Sequence, residues 1–565
     1  MPQLNLSVSE IMKQSNDEVS EPATHAIATP PASAHLDSMH VGDITGGLGT
    51  ISQHDVATRR TWRQRLLTFL AILGPGLIVM VGDNDAGAFG TYTQAGQNYG
   101  TTLLWTLLLL VPVLFVNQEM VLRLGAVSGV GHARLILERF GKFWGAFSVI
   151  DLFILNALTI VTEFIGISLA LDFFGLPKVW GVAIAAALIM AGAIQGSFRR
   201  FERFCLVLCV GSLLLIPVLV AVHVPLGQTI HDFVIPGLPK GAELSTVMLL
   251  IAGIVGTTVA PWQLFFQQSY VIDKRITPRF INYERWDLVV GIVIVVVGAL
   301  AMMSVAAATF AGHNEFGAFQ DAGAVAAGIA KYVGYWPGAF FAIALMDAAI
   351  IGAAAVSLST AYAIGDVLAL NHSLHRKPTD APVFYGVYLL LIALAATLVL
   401  IPGVPLGLLT NAVQVLAGVL LPSATVFLLL LSNDKPVLGP WVNTARVNIF
   451  TGVVIAVLVV LSVVLTASTL FSTFGTTQIL WTLGIGLVAS LGVGIWLAVA
   501  HPDERLSRRL TRDEKFAWRM PPLDTLPKAQ LSTLNRVWLI ILRAYLVCAV
   551  LLVVYKVSLL ALHRG

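Results

Sequence analysis

About thirteen separate apolar stretches, each long enough to cross the hydrocarbon layer of a bilayer, dominate this chain of 565 residues. They run approximately Leu66 to Ala88, Thr101 to Leu122, Ala146 to Leu171, Val179 to Ile194, Phe204 to Val222, Leu244 to Val271, Leu288 to Ala311, Gly338 to Leu370, Val383 to Ile401, Leu406 to Leu431, Val447 to Leu470, Leu480 to Val499 and Val537 to Leu560. With 57% of residues hydrophobic and only 12% charged, most of the chain must live in lipid. A soluble enzyme is excluded, and no connection carries a nucleophile, a base and an oxyanion-binding set together. The formal net charge of +3 does not point to nucleic acid, because the basic residues sit in short clusters between apolar segments.

Those clusters alternate. Arg59, Arg60, Arg63 and Arg65 precede the first stretch, and Arg123, Arg134, Arg139 and Lys142 follow the second. Arg199, Arg200 and Arg203 follow the fourth, and Lys274, Arg275, Arg279 and Arg285 the sixth. Arg376 with Lys377, Lys435 with Arg446, and Arg505 to Lys515 continue the series. Lysine and arginine are retained on the cytoplasmic side, so the N-terminus is expected inside an inner (plasma) membrane and the C-terminus outside. Residues 1–57 are polar, lack an apolar signal core and are expected to form a disordered tail despite His25, His35, His40 and His54. Cys205, Cys209 and Cys548 lie in apolar runs without zinc-like spacing, and read as small buried hydrophobes.

Two stretches contain residues that a plain membrane helix avoids. The first reads Gly74-Pro75-Gly76 and then Gly82-Asp83-Asn84-Asp85-Ala86-Gly87, with two acids at mid-membrane depth. The sixth reads Gly256-Thr257-Thr258-Val259-Ala260-Pro261-Trp262-Gln263, where Pro261 withholds a backbone donor and frees a carbonyl one turn earlier. Five stretches apart, they occupy corresponding positions in two five-helix halves, and such paired interruptions mark the midplane site of an inverted-repeat transporter. The simpler alternative makes Pro261 an ordinary kink and pairs the two acids with a buried partner. Unwound backbone at that depth must line a cavity, and carboxylates with freed carbonyls present hard oxygen atoms to a cation.

In these positions the chain resembles the Nramp family of divalent metal transporters, from about Leu66 to Val499. The family's first-helix signature, Asp-Pro-Gly-Asn behind Gly-Pro, is matched by Asp85-Ala86-Gly87-Ala88 behind Gly74-Pro75, followed by Gln94-Ala95-Gly96. Its sixth-helix Met-Pro-His aligns with Ala260-Pro261-Trp262, Gln118 and Gly125 match the second helix, and Asn411 and Gln414 match the tenth, running into Leu421-Pro422. The resemblance implies an all-α, LeuT-like inverted-repeat fold with helices 1 and 6 broken. It implies domains over 58–500 (repeats about 66–222 and 244–431, plus helices 11 and 12), a basic linker over 501–535 and an added helix over 536–565.

The departures from the family pattern bear on cargo. The metal-binding aspartate is kept as Asp85, but the asparagine ligand is replaced by Ala88 and the methionine by Ala260. Loss of soft sulfur removes a filter against hard ions, and a roomier, oxygen-only pocket suits an ion that keeps some water, as Mg²⁺ does. The histidine positions read Trp262 and Gln267, and the acidic pair of the third helix reads Ile160 and Glu163, which is similar to the Nramp-related magnesium transporters. The expected metal-contacting set is Asp85, Asp83, Thr257, Ala260, Gln414 and Glu163, with Asp83 as a second ligand or a shaper of the outer vestibule. Glu119 and Asp347 read as structural pairs or caps. The expected cargo is Mg²⁺ or Mn²⁺ with weak or no proton coupling, carried by a monomer in the lipid bilayer without a cofactor. Proton-coupled Mn²⁺ or Fe²⁺ import and Na⁺-coupled amino-acid transport are the alternatives.

Overall fold

The computed structural model describes residues 34–402, 406–470, 475–500 and 511–527, together with residues 529, 539, 540, 542 and 547. The helices run α1 (Trp62–Ile72), α2 (Pro75–Val81), α3 (Ala86–Tyr99), α4 (Trp105–Ser128), α5 (His132–Phe140), α6 (Lys142–Phe173), α7 (Lys178–Ile194), α8 (Phe198–Gly211), α9 (Leu215–Ala221) and α10 (Leu226–Val234). They continue with α11 (Leu244–Thr258), α12 (Pro261–Asp273), α13 (Ile281–Phe310), α14 (Ala322–Tyr332), α15 (Tyr335–Leu368), α16 (Pro382–Val399) and α17 (Leu406–Ser432). Two more helices, α18 (Ala445–Leu470) and α19 (Thr476–Ala500), follow.

Among the described residues eight helices are long and apolar enough to cross a membrane, or ten if each strongly bent pair is one span. The count differs from thirteen partly because interruption leaves short pieces, and because the expected helix at Val537–Leu560 lies outside the described residues except at isolated positions. The first stretch also shifts. Its expected beginning belongs to α1, which bends 55° from α2 at Gly74-Pro75, while its expected end continues as α3 as far as Tyr99. Pro75 fits the first turn of α2, where no intrahelical donor is needed. Gly74 has φ +155°, and a side chain there would run into the Glu202 carboxylate.

Both halves of the broken first helix pack along α13. A Cβ on Gly76 would stand 2.6 Å from the Leu288 nitrogen, and one on Gly96 would collide with the Met303 carbonyl. Small residues thus bring the backbones to contact distance, the mode of helix association open to a chain in lipid. The long helices α6 and α15 also pack on each other.

Residues 34–57 correct the expectation of a disordered tail over 1–57. Asp37 caps a turn at Ser38–His40, β1 (Ile44–Thr45) pairs antiparallel with β2 (Thr50–Ile51), and Ala34, Ile44 and Ile51 are buried. The segment is poor in apolar residues, but it feeds acceptors to basic connections that converge on it. Arg199 and Arg203 donate to the Gly46 and Gly47 carbonyls (3.1 and 2.7 Å), Arg275 to the Met39 carbonyl (2.8 Å), and Arg279 to the Ala57 carbonyl (3.0 Å). Arg376 holds Asp37 at 2.7 Å. Burial alone would raise the Asp37 carboxyl, yet Arg376 and the Met39 and His372 amides bring it down to about 2. The first 33 residues, His25 among them, lie outside the described residues.

The connections after the fourth, sixth and eighth expected stretches therefore meet at one end of the bundle, the basic end. At the other end Thr101 bonds Asp232, Trp105 donates to the Gly237 carbonyl (2.8 Å) and Gln97 to the Glu315 carbonyl (2.8 Å).

Near the basic end a buried ion pair fixes the start of α2. Lys274 donates to Glu202 (2.7 Å) and to the Ile72 and Leu73 carbonyls (2.6 and 2.9 Å), while Asp287 accepts from the Gly74, Gly76 and Leu77 amides (3.1, 2.7 and 3.2 Å). Glu119, as expected of a structural pair, bonds Arg123 and Arg285. Asp347 does not follow suit: its Oδ2 has no hydrogen-bond partner, and the carboxylate lies over Gly211, where no side chain can oppose it. Removing one member of a buried pair strands the other, at a cost of about 3–5 kcal/mol. Lys274→Met is therefore expected to lower the melting temperature of the detergent-solubilised protein sharply, and Glu202→Gln added to it to recover part of the loss.

Candidate functional site

The two interruptions lie side by side, with Gln263 of the second bonded to Asp83 of the first. After α2 the chain leaves the helix at Gly82, and the Asp83 and Asn84 amides turn back to the Met80 and Val81 carbonyls (3.3 and 3.2 Å). Asp85 then starts α3 as its N-cap, its Oδ1 accepting from the Ala88 amide at 2.8 Å. On the other side α11 ends at Thr258 and α12 begins at Pro261. Pro261 has no N–H, so the Thr257 carbonyl lacks the partner it would have four residues on.

Asp85, Glu163 and Gln414 come together. Glu163 on α6 accepts from the Ala86 amide at 3.1 Å through Oε2, while its Oε1 has no hydrogen-bond partner. A Cβ on Gly352 of α15 would stand 2.8 Å from Glu163 Oε2 and 3.1 Å from Asp85 Cβ. The Gln414 amide rests on Gly87, where any side chain would displace it, and a Cβ at Gly87 would lie 3.1 Å from Asp85 Oδ1. The backbone of Gln414 meets the other break at Gly256, beside Thr257. Gln414 thus touches both interruptions, with Asp85 and Glu163 on one side and the Thr257 carbonyl near the other. All are buried.

Asp83 faces elsewhere. Its Oδ1 accepts from Gln263 Nε2, and Gln263 Oε1 in turn accepts from Gln118 Nε2 at 2.9 Å. Asp83 Oδ2 has no hydrogen-bond partner although the residue is wholly buried. The unwound turn therefore does not bring the two aspartates onto one group: Asp85 joins Glu163 and Gln414, and Asp83 joins Gln263 and Gln118. Ala260 is buried at the second break, with its carbonyl accepting from the Gln263 amide at 3.2 Å.

Several participants escaped sequence reasoning. Gln263 lies in the first turn of α12 and links Asp83 to the Thr258 carbonyl (3.4 Å). Tyr92 bonds the Thr258 hydroxyl at 2.7 Å, tying α3 to α11, and Asn84 donates to the Val295 carbonyl of α13 at 3.1 Å. The available signal was position, since each polar side chain lies within two turns of a helix breaker. Met80, the sulfur-bearing residue of α2, packs against Gly291 instead of facing this group. A cavity of about 100 Å³ reaches Gln414 from the end opposite the basic one, lined by Thr91, Gln94, Asn98, Tyr99, Thr246 and Gly253.

A family model described as natural resistance-associated macrophage protein-like, Nramp, matches residues 76–468. The chain belongs to the Nramp family. It is 29% identical over 389 residues to a divalent metal cation transporter, MntH, of Ralstonia nicotianae, covering 66% of this chain and 85% of the relative. The MntH of Chromohalobacter salexigens is 26% identical over 436 residues, covering 74% of this chain and 95% of its own. In fold the chain is similar to the Eremococcus coleocola manganese transporter, with a TM-score of 0.58 at 20% identity over 79% of this chain and 97% of that one. The Nramp bundle has the LeuT-like architecture that the family resemblance implied.

The amide chain gives a direct test. Gln263→Leu removes the donor to a buried carboxylate and is expected to destabilise the protein by about 1–3 kcal/mol or more. Adding Asp83→Leu removes the stranded group, so thermal denaturation of the double variant should recover part of the loss.

Proposed function

We propose that this Nramp protein carries a divalent cation, Mg²⁺ or Mn²⁺, across an inner (plasma) membrane by alternating access, with the basic end in the cytoplasm. The observation that carries the reading is the buried convergence of Asp85, Glu163 and Gln414 on the first break, beside the freed Thr257 carbonyl of the second. Two adjacent buried carboxyl groups repel when both are ionised, and a cation between them relieves that repulsion. Asp85 is the direct carboxylate ligand, Gln414 and the Thr257 and Ala260 carbonyls complete an oxygen cage, and Glu163 orients it. Asp83 shapes the path, held away from the ion by Gln263.

The names of the MntH relatives support divalent cations as the class, and the local chemistry supports hard ones. Neither a thioether nor an imidazole joins the group described above, where Ala260 and Trp262 occupy the family's methionine and histidine positions. Hard oxygen donors suit Mg²⁺ and Mn²⁺, so the reading extends to the magnesium-transporting branch. Trp262 and Gln267 cannot take up a proton, which favours transport with weak or no proton coupling. Transport of an amino acid is disfavoured by the Asp85 cap: its carboxylate already holds the α3 N-terminus that a substrate carboxylate would need.

Asp85→Asn is expected to abolish Mn²⁺- and Mg²⁺-dependent thermal stabilisation, and Glu163→Gln to weaken metal affinity by about tenfold, as loss of a ligand's supporting partner does. Ala260→Met combined with Ala88→Asn should raise preference for Mn²⁺ over Mg²⁺ in competition binding. In proteoliposomes holding a pH dye, metal uptake is expected without matching acidification. Strong metal-driven acidification would contradict the uncoupled reading.

A further inference from the structure

We infer that residues 34–57 form a strap that locks the basic end of the transporter shut, and that this end opens only when the strap leaves. The inference rests on the alternating-access reading and concerns how the basic end is gated. The strap joins parts that must separate for a pathway to open there. Its Gly46 lies on the Ala71 carbonyl of α1, with no room for a side chain, and a Cβ on Gly49 would stand 2.8 Å from Ala71 Cβ. Its Gly46 and Gly47 carbonyls bind Arg199 and Arg203 of α8, and its Met39 carbonyl binds Arg275 just beyond α12. Asp37 bridges to Arg376 and the His372 amide beyond α15 (2.7 and 2.9 Å).

The strap also completes the buried ion pair under α2. One Glu202 oxygen accepts from Lys274, which holds the end of α1 through the Ile72 and Leu73 carbonyls, and the other accepts from the Gly47 amide of the strap. Swinging α2 away from α8 would break the Lys274 bonds and uncover Glu202, so the strap and the half-helix are fastened at one point. Each such bond contributes about 1 kcal/mol net, and several acting together give a closed state that is favoured and still reversible.

The seat is not fully satisfied, as befits a part that detaches. A cavity of about 120 Å³ lies beneath the strap, between His35, His40, Ser128, Arg275 and Arg519. His40 is 5% exposed, yet neither ring nitrogen has a hydrogen-bond partner, and Nε2 stops 3.8 Å from Asp273 Oδ1. A buried ring left without partners weakens the docked state relative to the released one. Meanwhile the cavity that reaches Gln414 opens at the opposite end, as expected of a bundle held closed at its basic end.

Two measurements on the full chain, with Cys205, Cys209 and Cys548 replaced by alanine, test the strap. First, Ser269→Cys places a thiol on α12, one turn from the Asp273 that faces His40, where it is 4% exposed. Adding Gly46→Val, which cannot seat against Ala71, should raise its labelling by a membrane-impermeant maleimide about tenfold, the mark of a shifted closed-to-open population. An unchanged labelling rate would overturn the strap whether or not the protein transports metal. Second, a Cβ at Gly47 would stand 3.4 Å from Arg203 Cγ, so Gly47→Cys with Arg203→Cys can be oxidised to a disulfide. Oxidation should cut Mn²⁺ uptake into proteoliposomes about tenfold or more, and reductant should restore it. Equal uptake by the oxidised and reduced forms would overturn the proposal, whereas absence of uptake from the reduced form and its parent alike would count against the transport reading.

Discussion

A chain that leaves the helix inside a bilayer must find new partners for the backbone groups it releases, because lipid supplies none. The rest of this structure is arranged around that constraint. At the first break Asp85 takes the Ala88 amide, Glu163 takes the Ala86 amide, and the Asp83 and Asn84 amides fold back on the preceding turn. At the second, Pro261 removes a donor and leaves the Thr257 carbonyl for something else to use. The groups that make the interruptions tolerable are those that give them chemistry.

The scaffold keeps the two breaks in register by close packing. Gly76, Gly96 and Gly291 let α2 and α3 approach α13 at backbone distance, and Gly352 lets α15 approach the Asp85 and Glu163 side chains. Gln414, with its side chain seated on Gly87 and its backbone against Gly256, couples the two breaks through a single residue on α17. At the basic end the same economy appears in Glu202, which serves Lys274 with one oxygen and the strap with the other.

Much of the fold was legible because helix breakers and intramembrane acids are rare. Gly74-Pro75, the Gly82-to-Gly87 run and Pro261 located both interruptions, and the alternating basic clusters foretold an end where Arg199, Arg275 and Arg376 would meet. Boundaries were less legible: hydropathy runs smoothly from α1 into α2, so the 55° bend and the continuation of α3 to Tyr99 appear only in three dimensions. In the site, Asp85 and Glu163 were visible as acids within spans, and Gln414 through the Asn-x-x-Gln pattern that the family resemblance supplied. The partner of an amide such as Gln263 was not, because tertiary packing chooses it. The strap was misread for a related reason: its composition is that of a solvated tail, and what holds it is arginine supplied by connections far away in the chain.

The central claim is that a cation sits between the two breaks on Asp85, and an anomalous-difference map from crystals grown in Mn²⁺ tests it most directly. The account predicts one strong peak in contact with the Asp85 carboxylate, beside Gln414 and the Thr257 carbonyl, with Asp83 still on Gln263. A peak held by Asp83 alone, or none at the breaks while Mn²⁺ binds elsewhere, would contradict it.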